Sequence, residues 1–122
     1  MPLLLVMLGG ALGAGARHLV GRALGSLTPG FPAGTLGVNL IGGLLMGLLA
    51  GALARGHAGE AWRLFGGVGV LGGFTTFSAF SLDVVTLAER GQFGTALAYL
   101  LASVIGSIVA LVAGLALTRV GA

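Results

Sequence analysis

Side chains that could contact an anion are concentrated in one short segment, GGFTTFSAFS, which begins at Gly72. At helical spacing, one face of this segment carries a stripe of hydroxyls from Thr75, Ser78 and Ser81. Phe77 and Phe80 are three residues apart and share a neighbouring face. A hydroxyl donates hydrogen bonds and a phenylalanine ring has a positive edge, so both can face an anion. A hydroxyl row on a membrane helix nevertheless joins helices more often than it conducts ions.

Further hydrogen-bond donors lie elsewhere in the chain. Asn39 supplies two N–H donors, and Tyr99, Ser103 and Ser107 repeat every fourth residue near the C-terminus. Moving a bare ion from water into a low-dielectric medium costs on the order of tens of kcal/mol, so a pathway must replace the hydration shell. A narrow path lined by donors would do so. The alternative for Asn39 is a hydrogen bond that fixes the register between two helices.

The elements that must position these side chains are membrane helices. The 122 residues are 57% hydrophobic and 7% charged, whereas about a quarter of a soluble domain is charged. Four stretches without charge approach or exceed the roughly 20 residues that cross a bilayer: residues 2–16, which residues 17–24 complete, then 34–54, 64–82 and 91–118. The sequence therefore predicts an all-α, multi-pass membrane protein, with one domain over residues 1–122.

The third predicted helix is expected to be broken. Several glycines lead directly into Thr75 and Thr76, and helix propensity is poor along the whole run. A break frees backbone carbonyls, which are tolerated at membrane depth only where protein, water or an ion satisfies them. Broken transporter helices use such carbonyls to bind sodium. The alternative, which spacing alone favours, is a kink in which both threonines bond back to the preceding turn.

Small residues predict close packing of the second and fourth helices. They recur every fourth residue, as Gly43, Gly47 and Gly51 and as Gly106, Ala110 and Gly114. Because lipid provides little hydrophobic force between helices, close backbone approach supplies the packing. Most of the 25 glycines are explained in this way.

The arginines give no preferred direction of insertion. With four spans, one side of the membrane receives Arg55, Arg63 and Arg119, and the other receives Arg17, Arg22 and Arg90. Orientation is normally set by an excess of positive charge on one side, so both orientations can be populated and an antiparallel pair is the natural assembly. The alternative is that a deeply placed Arg17 does not count and one topology is fixed. Six scattered arginines form no nucleic-acid patch.

Three motifs together resemble the signatures of the Fluc (CrcB) fluoride channels. They are GGFTTFSAFS, GTLGVN from Gly34 to Asn39, and GGALGAGARH in the first helix. When the polar row of Tyr99, Ser103 and Ser107 in the fourth helix is included, the resemblance extends over all four helices. It implies an antiparallel, dual-topology homodimer of four-helix subunits, with two fluoride pores that both chains line.

The resemblance also implies roles for individual residues. The pore or fluoride-binding residues would be Arg17, Thr35, Asn39, Phe77, Ser78, Phe80, Ser81, Tyr99, Ser103 and Ser107. A central Na⁺ at the dimer interface would be held by the backbone carbonyls of Gly72 and Thr75. Three positions depart from the family pattern: His18 replaces a common tyrosine, Ala79 a threonine and Asp83 a glutamate.

Other classes of function fit the sequence less well. An enzyme is hard to build without cysteine, with two distant histidines and with three acids, of which two are in predicted loops. A small dual-topology multidrug or cation exporter shares the length and the charge balance. Such an exporter needs a carboxylate deep in the bundle, yet the first helix has none and Asp83 is near a helix end. A structural membrane protein that transports nothing would tolerate conservative substitutions at Asn39 or Phe80 without any loss of ion flux.

Overall fold

The computed structural model describes residues 2–25, 31–54, 56 and 59–120, except for the side chains of residues 119 and 120. Its regular elements are, in chain order, α1 (Pro2–Gly25), α2 (Ala33–Ala54), α3 (Glu60–Trp62), a π-helical segment (Arg63–Leu71), α4 (Gly72–Phe74), α5 (Ser78–Glu89) and α6 (Phe93–Val120). Every regular element of the described residues is helical, which confirms the all-α prediction.

The four predicted membrane spans are also confirmed. Four described segments are long and apolar enough to cross a bilayer: Pro2–Gly25, Ala33–Ala54, Glu60–Glu89 and Phe93–Thr118. The third span comprises α3, the π-helical segment, α4 and α5. Large apolar side chains such as Leu3 and Leu19 are more than half exposed. In a membrane these surfaces can face acyl chains or another protein copy.

The turn between the third and fourth spans is set by Gly91. This residue has a φ of +78°, which an L side chain rarely adopts. The N–H of Gly91 donates to the Ala88 carbonyl at 3.0 Å, and the N–H of Gln92 donates to the Leu87 carbonyl at 2.9 Å. These two bonds form a Schellman motif, which ends α5. For this reason α6 begins at Phe93, two residues after the start of the charge-free stretch.

Glycines bring α2 and α6 into backbone contact, as the small-residue pattern predicts. A Cβ added at Gly43 would approach the Ser107 carbonyl to 2.7 Å, and one at Gly47 would overlap the Leu111 carbonyl. From the other side, a Cβ at Gly114 would overlap the Leu44 carbonyl. The two helices can therefore lie this close only because these positions have no side chain.

Replacing Gly47 by alanine is expected to lower the melting temperature of the protein in detergent, because the added methyl must push α6 away. Overpacking of this kind typically costs about 1–3 kcal/mol. Gly94→Ala is the matched control, since an added Cβ there meets nothing within 4 Å and alanine is the better helix former. Equal losses in the two variants would contradict the close-packing account.

The first span packs on the N-terminal half of the third span in the same manner. A Cβ at Gly13 would overlap the Val70 carbonyl, and one at Gly73 would come within 2.6 Å of the Gly10 carbonyl. This contact places the C-terminal part of α1 beside the point where the third span is interrupted.

Candidate functional site

The third span is broken at residues 75–77, between α4 and α5, which confirms the predicted break. Thr75 has φ −84° and ψ 155°, an extended conformation. Its hydroxyl donates to the Leu71 carbonyl at 2.9 Å, so one element of the kink alternative is also present. The Thr76 hydroxyl instead accepts the N–H of Ala79 at 3.2 Å and thereby caps the first turn of α5.

Asn39 of α2 binds the backbone of the break. Its Oδ1 accepts the N–H of Thr76 at 3.0 Å, and its Nδ2 donates to the carbonyl of the same residue at 3.0 Å. The Asn39 amide therefore satisfies both the N–H and the carbonyl of Thr76, a residue that makes no helical hydrogen bond with these groups because it lies in the break. This contact is the interhelical hydrogen bond that the sequence left open as an alternative. An amide nitrogen carries two hydrogens, and this pairing uses one of them.

Arg17 of α1 also binds the backbone of the break. Its Nε donates to the carbonyl of Gly73 at 3.1 Å, across 56 residues of sequence. The side chain also lines a cavity of about 570 Å³ together with His18 and Arg22. The residue thus reaches the middle of the third span instead of extending only towards the membrane surface.

Not all of the freed carbonyls have partners. Arg17 occupies the Gly73 carbonyl and Asn39 occupies the Thr76 carbonyl. The carbonyls of Gly72 and Thr75 accept no hydrogen bond from the part of the chain that the structure describes. Gly72 is exposed on the surface of the protomer. Carbonyl oxygens without hydrogen-bond partners in a broken membrane helix are the kind of group that can coordinate a cation.

A second cavity, of about 420 Å³, lies on the side of the break that faces α2 and α6. Several of the predicted pore residues line it: Asn39, Phe77, Phe80, Ser103 and Ser107, together with Thr75. The rings of Phe77 and Phe80 are 5.6 Å apart, and those of Phe80 and Tyr99 are 5.3 Å apart. The structure thus brings together residues from the second, third and fourth spans.

Ser103 is the polar group of this cavity that lacks a partner. It is 5% exposed, and its Oγ makes no hydrogen bond to any described residue. A buried hydroxyl without a partner costs free energy, so such a group in a cavity wall indicates a place where a ligand or water supplies the missing bond. Ser107, one turn further along α6, is half-buried in the same wall.

The 570 Å³ cavity contains other predicted site residues. Thr35 lines it, as do Ala79 and Asp83 at two of the positions that depart from the family pattern. The Tyr99 hydroxyl donates to Oδ2 of Asp83 at 3.0 Å. We call this cavity the vestibule. Because Tyr99 is fully buried and Asp83 faces the vestibule, this hydrogen bond connects the polar row of α6, which starts at Tyr99, with the vestibule.

The predicted hydroxyl stripe of the third span is not continuous. It assumed helical spacing from Thr75 to Ser81, but the break separates Thr75 from the two serines. Ser78 is exposed, with its Oγ 3.3 Å from that of Thr76, and Ser81 is half-buried. Neither serine lines either of the two larger cavities.

Sequence reasoning named Arg17 and Asn39 but missed that both bind the backbone of the break. The bonds from Arg17 and Asn39 to the backbone span 56 and 37 residues, and no local pattern announces them. Phe31 was also missed, although its ring packs edge-on against Tyr99 at 5.7 Å. A signal did exist at Gly42, since a Cβ there would overlap the methyl of Thr75; this glycine lets the break lie against α2.

Four apolar spans, an interrupted third span and two cavities beside the interruption, each with some polar side chains in its lining, are features of a membrane protein that contains an ion or solute pathway. Residues 4–115 match the family model described as "CrcB-like protein, Camphor Resistance (CrcB)". The chain belongs to this family and is a multi-pass membrane protein. The resemblance that the motifs indicate is thereby confirmed.

Similar proteins have the name "Fluoride-specific ion channel FluC". The protein of Sphingopyxis alaskensis is 60% identical over 116 residues, which cover 93% of this chain and 92% of the relative. That of Phenylobacterium zucineum is 60% identical over 120 residues, or 96% and 94% of the two chains. That of Paracoccus denitrificans is 56% identical over 114 residues, or 93% and 91%.

Proposed function

We propose that this protein is a fluoride-selective channel of the cell (inner) membrane, which lets fluoride leave the cytoplasm passively, driven by the membrane potential. The names of its relatives support the choice of ion. The observation that carries the proposal is the 420 Å³ cavity beside the break, where Asn39, two phenylalanine rings and the unpartnered hydroxyl of Ser103 meet. These groups offer donors and positive ring edges to an anion.

The cavity's chemistry suits conduction of a small anion. Among the described residues, its lining contains no arginine and no carboxylate, so an ion would be stabilised by partial charges and not trapped by a full charge. Fluoride accepts strong hydrogen bonds, and a narrow path with few donors selects by size and donor number. Arg22 lines the vestibule, outside this cavity, and would raise the local concentration of anions.

An exporter is less well supported. Proton-coupled export needs a carboxylate that can bind a cation or a proton deep in the bundle. Asp83 lines the vestibule and accepts a hydrogen bond from Tyr99. Arg17 and Arg22 line the same cavity, so a cationic drug would meet two positive charges there.

The working unit is proposed to be an antiparallel, dual-topology homodimer. The three arginines on each side support this assembly, although Arg55 and the side chain of Arg119 lie outside the described residues. Phe77 lines the cavity yet is 76% exposed in the protomer. A pathway with one wall on the protein surface needs a second copy to shield it from lipid, and an inverted copy would repeat the same contacts.

A central Na⁺ at the dimer interface is proposed as the resident cation. The vacant carbonyls of Gly72 and Thr75 support it, and their counterparts in an inverted copy would complete the ligand set. The bound ion would neutralise the carbonyl dipoles of the break and hold the two copies together. The proposed protein has no catalytic step; its activity is selective passage.

Fluoride efflux from liposomes tests the proposed function. Purified protein is reconstituted in vesicles loaded with potassium fluoride or potassium chloride, and valinomycin allows potassium to leave with the anion. We expect rapid release of fluoride and release of chloride slower by at least about a thousandfold, because a path that selects by ion size and donor number favours the smaller halide. Fluoride that stays trapped would refute the channel, and flux that requires a proton gradient would indicate the exporter.

A further inference from the structure

The guanidinium of Arg17 contacts the backbone at the centre of a membrane span, a position that attraction of ions does not require. We infer that Arg17 is a positioning residue, whose Nε–H fixes the carbonyl of Gly73 and thereby the direction of the vacant carbonyls on either side of it. This inference rests on the proposed function, because it takes those two carbonyls as a cation site.

The chain around this bond has unusual freedom. Gly72 and Gly73 are adjacent, and glycine populates more backbone conformations than any other residue. The extended conformation of Thr75 removes the usual helical donors that would orient the carbonyls before it. Without an external donor, the peptide group that follows Gly73 could rotate, and its neighbours' carbonyls would turn with it. The break therefore needs a side chain to set its shape.

Two contacts divide this task. Asn39 fixes both polar groups of Thr76, and Arg17 fixes the carbonyl of Gly73. The unoccupied carbonyls of Gly72 and Thr75 are each adjacent in sequence to one that is held. The pattern of held and vacant carbonyls therefore follows from the two side chains. Close packing at Gly10 and Gly73 keeps α1 near enough for Arg17 to reach.

Arg17 could instead attract anions into the vestibule, and that role requires a different property of the side chain. Attraction requires the positive charge, whereas positioning requires an N–H at the location of Nε. Glutamine separates these requirements, because its Nε2 follows Cβ, Cγ and Cδ just as Nε of arginine does. Lysine does the reverse: it keeps the charge but places a methylene at that location. Methionine removes both the charge and the donor.

The experiment compares Arg17→Gln, Arg17→Lys and Arg17→Met with the wild type in lipid bilayers. The first readout is the ¹³C shift of the Gly73 carbonyl in solid-state NMR, which reports the hydrogen bond directly. The second is the sodium concentration that half-maximally stabilises the dimer against heating, with N-methylglucamine as the replacement cation. Arg63→Gln is the control for loss of an arginine, since its side chain is exposed and lines none of the cavities described above.

We expect the Gln variant to keep the Gly73 shift and a sodium midpoint within about threefold of wild type. In the Lys and Met variants, the ¹³C shift of the Gly73 carbonyl should change, and the sodium midpoint should rise about tenfold. A tenfold change corresponds to the free energy that a hydrogen bond from a charged donor typically contributes. A Lys variant like wild type, or a Gln variant as impaired as the Met variant, would overturn the inference. If the Lys variant does not fold, the Gln variant decides alone.

The two readouts also separate this inference from the proposed cation site. A wild-type dimer whose stability is indifferent to sodium would refute the cation site, whatever the variants do. The Gly73 shift would still report whether Arg17 holds the carbonyl. Conversely, sodium-dependent wild-type protein with an unchanged Gly73 shift in all three variants would leave the cation site intact and refute the positioning role.

Discussion

Replacing Asn39 by leucine is expected to abolish fluoride efflux and to lower the stability of the protein. Leucine nearly matches asparagine in shape but cannot bond to Thr76, so the N–H and carbonyl of that residue lose their partner. Each buried polar group left unsatisfied costs about 1–3 kcal/mol. Because both Thr76 groups are only partly buried, the combined loss is expected at the low end, about 2 kcal/mol, which is still a sizeable part of the stability of most folded domains. Efflux from liposomes and the melting temperature in detergent measure the two effects.

Asn39→Asp separates the two halves of this contact. The carboxylate still accepts the Thr76 N–H, but it has no hydrogen to donate to the Thr76 carbonyl, and it brings a negative charge to the wall of an anion path. We expect this variant to be more stable than the Leu variant yet to conduct at least about a hundredfold less than wild type, since an anion meets a like charge in a medium of low dielectric. Ile41→Val, on an exposed part of the same helix, is the control. Normal flux in both Asn39 variants would mean that the amide has neither role.

A feature of this molecule is predictable from sequence when residues close together in the chain determine it, and it is not when contacts between distant residues do. The four spans follow from composition in windows of about 20 residues, and the weak helix propensity at residues 72–76 follows from a few adjacent glycines and threonines, which fit a kink as well as a break. Both are local properties. The helix packing at Gly47 is likewise visible, because the spacing of small residues along one helix already defines a face.

The partners of the break are not local, and sequence alone gave no way to pair them. Arg17 and Gly73 belong to different spans, and only the packing of α1 on the third span brings the guanidinium to this carbonyl. The bond between Tyr99 and Asp83 depends on the crossing of α5 and α6 in the same way. Charge and donor type indicated that these residues matter, while tertiary packing decided what each of them contacts.

The dimer shows a third kind of limit. In a soluble protein an exposed apolar surface indicates an interface, but in a membrane both lipid and a partner helix favour the same side chains. Exposed residues such as Leu82 and Val85 therefore do not reveal which face meets a second copy. Phe77 is more informative, because it is exposed and yet belongs to the wall of a cavity whose mostly apolar lining also contains Asn39 and Ser103.

Phe77 and Phe80 are expected to respond differently to truncation, although both rings line the same cavity. Phe80 is 7% exposed and packs against Tyr99, so Phe80→Ala should cost about 3–5 kcal/mol of stability as well as flux. Phe77 is 76% exposed in the protomer. Its truncation removes little packing within one chain, and we expect Phe77→Ala to lower efflux by at least about tenfold through the lost ring edge, with nearly unchanged protomer stability.

This contrast tests whether the rings serve the pathway or only the core. Efflux and melting temperature are measured on the same preparations, with Phe93→Ala as the control because Phe93 is 69% exposed and lies outside the cavity. A purely structural role predicts that efflux falls in proportion to stability, so Phe77→Ala would conduct normally. A role in the pathway predicts that the two measurements separate at Phe77, since its ring contributes contact area to the passing ion and almost none to the fold of its own chain.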